Sequence, residues 1–436
     1  MQRVAIKDLE IWKNKTGRKP LILNGARQVG KTWLATEFGR ENFEEVAHVV
    51  FLDNEGMRRV FDGSLDPDRL LSAIATETNT HPKSGECLVV LDEIQECPRA
   101  IESLKLFCEK APDVPIIAAG SLLGIAMHGG VSFPVGKVDM LNLHPMTFYE
   151  FLLAGANDNL ARLLDDCDFD LIASFSEKFH DEYLKYLVVG GMPEAVQAHV
   201  NGCNFSDVRN IQQVLLSGYE NDFSKHSTPA EAEKIRHVWK SVPSQFVKEN
   251  KKFLYSVVKK GARARGYEEA IDWLQDAGLT HKVSRIKAPH HPLSAYSDLS
   301  AFKLFVHDVG LFGAMAGLPA EVVMQDNPLF TEFKGAMTEQ FVCQELIAEH
   351  NIAPYYWSAE NSSGEVGFVF ELGGEIYPCE VKSKVNLKSK SLKLFREKNN
   401  LPFGIRFSLT NYDEQPNITN FPLYAIHCLK DYVSHV

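Results

Sequence analysis

Apolar positions in the first 150 residues fall into five short runs, separated by stretches with helical spacing. The runs are PLILNG (20–25), EVAHVVFLDN (45–54), ECLVVLDEI (86–94), VPIIAAGS (114–121) and VDMLNLHP (138–145). Nearly continuous apolar runs of this length are typical of parallel strands that are buried on both faces. The stretches KTWLATEFGREN and RAIESLKLFCEK between them repeat apolar residues at helical intervals. This alternation predicts an α/β fold with a doubly wound parallel sheet.

The pattern changes after residue 150. Residues 151–230 have helical spacing with a break at Gly190-Gly191 and Pro193, and residues 231–328 add helices followed by two β-like runs, LTHKVSRIKAPHH and FKLFVHDVGLF. Helices followed by a β pair suggest a winged helix. Residues 329–436 begin with the helical TEFKGAMTEQFVCQELIAEH and continue into GEVGFVFELGGEIYPCEVKSK, which predicts a hairpin. We therefore expect an α/β domain over residues 1–150, a helical region, a winged-helix-like region and a C-terminal α/β domain.

Composition narrows the class of protein. The chain has 436 residues and a formal net charge of −11, which argues against a protein that coats DNA through a globally basic surface. The eight cysteines form no CxxC pair, so neither a disulfide framework nor a zinc site is expected. No apolar run is long enough to span a bilayer, and the charged first twenty residues lack the apolar stretch of a signal peptide. We expect a cytoplasmic protein with no membrane contact.

The segment after the first strand has the spacing of a phosphate-binding loop, Gly25-x-x-x-x-Gly30-Lys31-Thr32. The glycines let backbone N–H groups turn inward toward phosphate oxygens, and the following helix presents its N-terminus to the same anion. Lys31 is expected to reach the β- and γ-phosphates of ATP, and the Thr32 hydroxyl to ligate Mg²⁺. The predicted nucleotide-binding residues are Gly25, Ala26, Arg27, Gln28, Val29, Gly30, Lys31 and Thr32.

Two further strand ends complement this loop. Asp92 and Glu93 follow four apolar residues, which places them at the carboxyl end of a strand, where ligands bind in such sheets. Asp92 is predicted to hold Mg²⁺ through water, and Glu93 to act as the general base toward the attacking water. Ser121 ends the next strand, where it could sense the γ-phosphate. Lys31, Glu93 and Ser121 are thus the candidate catalytic residues.

The segments NGARQVGKT, LDEIQECP, AAGS and LNLHPMTFYEFL together resemble AAA-type P-loop ATPases akin to the archaeal ATPases. The resemblance continues in GGMPEAV, KKFLYSVVKKGARARGYEEAIDWLQDAGL and FKGAMTEQFVCQEL, so it covers nearly the whole chain. It implies a sheet with an additional strand and a catalytic glutamate, a winged-helix middle, and a restriction-endonuclease-like C-terminal domain of unknown function.

One departure from the family concerns arginine. Family members often have Gly-Arg before the LxLxPxxFxEF motif, where this chain has Gly136 and Lys137. A lysine keeps the charge but lacks the planar guanidinium that binds phosphate through two hydrogen bonds. A sensor or finger role for this position is therefore in doubt. Arg27, Arg58 and Arg59 are the remaining candidates, and solvated surface arginine is the simpler interpretation of the last two.

A second departure concerns the nuclease signature that the resemblance implies. The helix acid of that signature aligns with Glu339, and its Glu-x-Lys with Glu380 and Lys382. The expected central Asp falls on Gly367, and Glu365, two residues earlier, would point to the same face of a strand. We expect a retained fold with a vestigial site at Glu339, Glu365, Glu380 and Lys382 rather than an active nuclease.

Residues 248–265 and 382–398 are rich in lysine and arginine. A charge run is most often a solvated face, and the alternative is a surface that follows a phosphate backbone without reading bases. The sequence thus predicts an ATPase that works as a nucleotide-dependent conformational switch, with ATP and Mg²⁺ bound and DNA as a candidate partner. The alternatives are a nucleotide-gated DNA-binding module or protein scaffold with little turnover, and a Mg²⁺-dependent nuclease. The sequence identifies no protein partner.

Overall fold

The chain divides into an N-terminal unit, residues 3–144 with 276–279, and a C-terminal unit, residues 1–2, 145–275 and 280–436. The structure is a computed structural model that describes residues 1–83, 85–121, 124–125, 133–246, 252–325, 331–359, 364–383 and 389–435.

The N-terminal unit is built on a five-stranded sheet in the order β2-β3-β4-β1-β5. Its strands are β1 (Leu21–Asn24), β2 (Glu45–Val50), β3 (Cys87–Asp92), β4 (Ile116–Ala119) and β5 (Asp139–Asn142). Every neighbouring pair is parallel. Its helices are α1 (Ala5–Lys13), α2 (Lys31–Asn42), α3 (Glu55–Asp62), α4 (Pro67–Thr78) and α5 (Pro98–Lys110). The predicted parallel α/β fold is confirmed, and β4 is a strand inserted between β1 and β3.

Local sequence explains these elements. Strands β3 and β4 are buried along their whole length, as expected of central strands with both faces covered. The side chain of Asn54 accepts a hydrogen bond from the Met57 N–H at the start of α3. Asp66 does the same for α4, and Pro67 follows at the first helical position. These caps fix where the two helices begin, and both helices pack into the same buried core.

The residues Asp276–Leu279 belong to the N-terminal unit although they lie far along the chain. Gly278 has φ +71°, and a Cβ added there would lie 3.1 Å from the backbone nitrogen of Ala26. A backbone segment from the middle of the chain therefore lies directly against the loop that follows β1.

The C-terminal unit begins as a helical array, as the sequence predicts. Its helices are α6 (Phe148–Ala154), α7 (Asp158–Asp165), α8 (Phe169–Ser174), α9 (Ser176–Val189), α10 (Pro193–Val200), α11 (Phe205–Lys225), α12 (Pro229–Phe246), α13 (Tyr255–Val258), α14 (Glu268–Asp276, whose last residue is in the N-terminal unit), α15 (Val309–Met315), α16 (Ala320–Met324), α17 (Thr331–Ala348), α18 (Lys390–Lys398) and α19 (Leu429–His435). Short 3₁₀ helices occur at Ala264–Gly266, Leu293–Tyr296 and Leu423–Cys428, and one in the N-terminal unit at Ile94–Glu96.

An eight-stranded mixed sheet forms the second layer of this unit, in the order β12-β13-β11-β10-β9-β8-β6-β7. Its strands are β6 (Thr280–Ile286), β7 (Ser297–Val306), β8 (Tyr355–Ser358), β9 (Glu365–Leu372), β10 (Glu375–Val381), β11 (Gly404–Ser408), β12 (Asp413–Gln415) and β13 (Ile418–Pro422). The hairpin predicted over β9 and β10 is present.

The β pair predicted as a wing is the antiparallel hairpin of β6 and β7. Strand β6 also pairs in parallel with β8 through Arg285 and Tyr356, so the hairpin extends the same sheet as the C-terminal strands. The predicted boundary between residues 328 and 329 lies outside the described residues, and strands from both sides of it share one sheet. The winged-helix and restriction-endonuclease-like assignments stay predictions.

Asp308 joins several parts of the helical array. Its buried carboxylate accepts hydrogen bonds from the N–H of Gly191 at 2.6 Å and from the N–H of Leu311 at 2.8 Å, the second of which caps α15. Burial raises the pKa of Asp308 to about 6, although backbone N–H donors oppose the shift. Gly190 has φ +72°, and a Cβ there would lie 2.3 Å from the same carboxylate. Glycine is therefore required at this contact.

We predict that Asp308→Ala lowers the free energy of unfolding by about 3 kcal/mol, because two buried N–H groups lose their acceptor. Chemical denaturation at neutral pH measures the loss. Asp181→Ala, which removes an exposed carboxylate, is the control and changes stability by less than about 0.5 kcal/mol. Equal stability of the two variants would contradict the assigned role.

Candidate functional site

The loop after β1 is shaped by its neighbour β5. The Leu143 N–H donates a hydrogen bond of 2.7 Å to the carbonyl oxygen of Asn24. A Cβ added at Gly25 would lie 2.2 Å from the Leu143 carbonyl oxygen, and Gly25 has φ +150°, so no side chain fits there. Gln28 and Gly30 also have positive φ, at 67° and 96°. The chain thus curls tightly between β1 and α2, as the motif predicts.

Lys31 begins α2 and turns back into this loop. Its Nζ donates to the carbonyl oxygens of Gly25 at 2.8 Å and Ala26 at 2.7 Å. No side chain caps the twelve-residue helix α2, so its first N–H groups are available to an anion. Burial lowers the pKa of Lys31 to about 8, and the carboxylates of Glu93 and Asp92 oppose the shift. An ammonium and a helix N-terminus therefore converge where phosphate is predicted to bind.

Thr32 and Asp92 meet across the edge of the sheet. The Thr32 hydroxyl donates to Asp92 Oδ2 at 2.8 Å, and His48 Nε2 lies 3.4 Å from the same oxygen. Burial alone would raise the pKa of Asp92, but hydrogen bonds from His48 and Thr32 outweigh it and hold the pKa below its ordinary value. A hydroxyl beside an ionised carboxylate is the donor set that Mg²⁺ prefers, so these residues fit the predicted metal.

Glu93 follows Asp92 in a left-handed backbone conformation, φ 49°. Its Oε2 accepts hydrogen bonds from the side-chain amide of Gln95 and from the Ser121 hydroxyl, the second at 3.5 Å. The structure therefore brings Glu93 and Ser121 together, and the charge of the Glu93 carboxylate acts on Lys31. Sequence reasoning missed His48 and Gln95. The only trace of His48 is a polar residue inside the apolar run of β2, and that of Gln95 is a polar residue two positions after Glu93. Spacing along the sequence does not reveal the partner of either residue.

The arginine candidates lie in different settings. Arg59 pairs with Glu55 at 2.9 Å on an exposed face of α3. Arg27 is an exposed residue of the loop itself. Lys137, at the position where the family often has arginine, pairs with Glu109 at 2.9 Å. The structure thus gives Lys137 and Arg59 carboxylate partners within their own unit.

The residues of the suggested vestigial nuclease site are engaged in ion pairs. Lys303, which is fully buried on β7, places its Nζ 2.5 Å from Glu365 Oε1 and 3.5 Å from Glu339 Oε2. Lys382 Nζ lies 2.5 Å from Glu380 Oε1. Burial lowers the pKa of Lys303, but the two carboxylates outweigh it and raise the pKa above its ordinary value.

An ammonium group therefore neutralises the carboxylates that a divalent cation would need. Within the described residues, no group of three or more His, Cys, Asp or Glu side chains is arranged to hold a metal ion. Sequence reasoning missed Lys303, whose only trace is one lysine inside the apolar run FKLFV. These observations give the nuclease alternative no support.

Family models match three segments of the chain. Residues 17–152 match the model of an AAA domain. The five-stranded parallel sheet and the loop after β1 fit a P-loop NTPase-like α/β fold. Residues 180–322 and 334–429 match models of two different domains of unknown function. No curated protein matches the chain. In the part of the chain that the structure describes, no helix is long and apolar enough to cross a membrane.

Solved structures with some similarity include the Walker-type ATPase of Pyrococcus abyssi, at 14% identity and a TM-score of 0.44, covering 71% of this chain and 94% of that one. They also include Drosophila ORC bound to DNA, at 14% identity and a TM-score of 0.28, covering 72% of this chain and 95% of that one. A third is the Aeropyrum pernix Orc1 protein in complex with DNA, at 13% identity and a TM-score of 0.26, covering 75% of this chain and 92% of that one. At these scores the likenesses carry no argument about function.

We predict that the affinity of this protein for Mg·ADP falls as pH rises above about 8. The free Lys31 loses its proton near that pH, whereas bound phosphate favours the charged ammonium and raises its pKa. The dissociation constant should therefore rise about tenfold per pH unit above pH ~8, and calorimetric titration measures it. Lys31→Arg, which keeps its charge, should lose this dependence. A constant affinity of the parent protein up to about pH 10 would contradict the prediction.

Proposed function

We propose that this protein binds Mg·ATP at the loop Gly25–Thr32 and hydrolyses it, as a nucleotide-dependent conformational switch. The proposal is supported by one observation above all. Lys31, Thr32, Asp92 and Glu93 come from two separate segments and meet at one edge of the parallel sheet, with Thr32 and Asp92 in direct contact.

Each side chain has a separate task in this proposal. Lys31 gives up its carbonyl partners to bind the β- and γ-phosphates, while Thr32 and Asp92 hold Mg²⁺, which would neutralise phosphate charge. Glu93 accepts the proton of the attacking water. Ser121, which already contacts Glu93, reports the presence of the γ-phosphate. The Lys31 ammonium is stabilised better by phosphate than by two carbonyl oxygens, so binding is favourable at neutral pH.

We predict that Glu93→Gln lowers the turnover number for ATP by about 100-fold or more, because the amide cannot accept the proton. Its affinity for Mg·ATP should stay within about threefold of the parent protein, whereas Lys31→Ala should lose both binding and turnover. Phosphate release and calorimetric binding measure the two quantities. Glu41→Gln, on the exposed face of α2, is the matched control with parental values. A parent protein that binds no nucleotide would refute the proposal.

The switch itself has a separate readout. Glu93→Gln held with Mg·ATP should differ from the same variant with Mg·ADP in its pattern of limited proteolysis, because only the first carries a γ-phosphate. Identical proteolysis patterns in the two nucleotide states would argue against a switch but would not contradict hydrolysis.

A second candidate function is DNA binding without sequence specificity, and one surface favours it. Lys259, Lys260, Arg263 and Arg265 are all exposed within a stretch of seven residues. Lys248 and Lys251 of the predicted segment lie outside the described residues, as do residues 384–388 of the second basic segment. An exposed cluster of this kind suits a phosphate backbone.

We predict that the parent protein binds duplex DNA at low salt and that Lys259→Glu/Lys260→Glu/Arg263→Glu weakens binding by about tenfold or more. Three lost phosphate contacts should also reduce the slope of log affinity against log salt by about 3. Fluorescence anisotropy measures both quantities. The control reverses three lysines of the N-terminal unit, Lys7, Lys105 and Lys110, which are also exposed. Equal losses in both variants would indicate a net-charge effect only, and a parent protein that binds no DNA at low salt would exclude this function.

A further inference from the structure

Glu93 is held by two donors at a single oxygen atom. The amide nitrogen of Gln95 and the hydroxyl of Ser121 both donate to Oε2. Gln95 belongs to the 3₁₀ turn Ile94–Glu96, which follows Glu93 directly and is closed by a backbone hydrogen bond from Glu96 N–H to the Glu93 carbonyl oxygen. The orientation of the carboxylate is therefore set by this short turn as well as by the strand before it.

The other polar atom of Gln95 has no partner. Its Oε1 is buried, and no hydrogen-bond donor reaches it within the described part of the protein. A buried acceptor without a donor costs about 1 to 3 kcal/mol, so a ligand that brings a donor to this atom gains stabilisation. The amide thus binds the carboxylate through one end and presents a vacant acceptor at the other.

The proposed hydrolysis supplies a donor for this atom. A water that attacks phosphorus carries two hydrogens. One proton moves to Glu93 while the water oxygen bonds to the γ-phosphorus, and the bond to the bridging oxygen breaks with its electron pair leaving on ADP. The second hydrogen stays on the new phosphate. Before the reaction, a hydrogen bond from this second O–H to an acceptor orients the water, so that its lone pair points at the γ-phosphorus.

We propose that Gln95 is the water-positioning residue of this site: its amide N–H fixes Glu93, and its Oε1 accepts a hydrogen bond from the second O–H of the attacking water. The inference rests on the proposed ATP hydrolysis. It assigns a task to a side chain that neither the loop motif nor the acidic pair identifies.

The test compares the parent protein with Gln95→Leu, which keeps the volume of the side chain and removes both polar atoms. We expect the turnover number to fall about tenfold or more, with the KM for ATP and the Kd for Mg·ADP within about threefold. The affinity for Mg·ADP with aluminium fluoride, which mimics the phosphoryl group in transfer, should fall about tenfold as well. Gln95→Glu keeps an acceptor but sets a second carboxylate against Glu93, so it should not restore turnover. Gln197→Leu, at an exposed glutamine of α10, is the matched control with parental values.

The outcomes separate this inference from the proposed function. Parental turnover and analogue affinity in Gln95→Leu, with an active parent protein, would overturn the inference and leave hydrolysis intact. The inference would also be overturned if the variant lost as much affinity for Mg·ADP as for the analogue, because that would show a structural role. A lower melting temperature that accounts for the loss of turnover would lead to the same conclusion. A parent protein without turnover would remove the proposed hydrolysis and the inference with it.

Discussion

Parallel pairing of the strands is the constraint on which the nucleotide site depends. Because every neighbouring pair in the five-stranded sheet is parallel, all the carboxyl ends lie at one edge. The loop after β1, the acidic pair after β3 and Ser121 after β4 therefore meet there although they are far apart in sequence. Strand β4 separates β1 from β3, so the loop and the start of α2 must cross its end before Thr32 reaches Asp92. A single antiparallel strand among these three would send one of the groups to the opposite edge.

The N-terminal unit was predictable because its determinants are local. Each of the five apolar runs contains a strand of the observed sheet, and helices α3, α4 and α5 begin at residues whose capping or proline chemistry is visible in the sequence. The larger sheet was not predictable in the same way. The join between β6 and β8 is a parallel pairing of Arg285 with Tyr356, about 70 residues apart, and no local periodicity encodes it. Local periodicity shows β6 and β7 only as a pair of strands, which is why the sequence suggested a separate wing.

The same distinction applies to side chains. Motif spacing identifies Lys31, Thr32, Asp92 and Glu93, because the loop and the strand end fix their backbone positions. It does not identify Gln95, since its contact with Glu93 depends on the left-handed backbone of Glu93 and on the tight turn after it. Sequence reasoning missed Lys303 for a different reason. A lysine in an apolar run is normally read as solvent-facing, and only the fold places two carboxylates around it.

The four residues Asp276–Leu279 have a consequence for the way this protein is made. They lie against the loop after β1, yet more than 130 residues separate them from the end of β5. A ribosome that has released the whole parallel sheet has therefore still to synthesise most of the helical array before Gly278 can lie against Ala26. The nascent chain carries an incomplete loop surface throughout that interval. For the same reason, a fragment truncated after His144 would contain β1 to β5 and still lack part of the N-terminal unit.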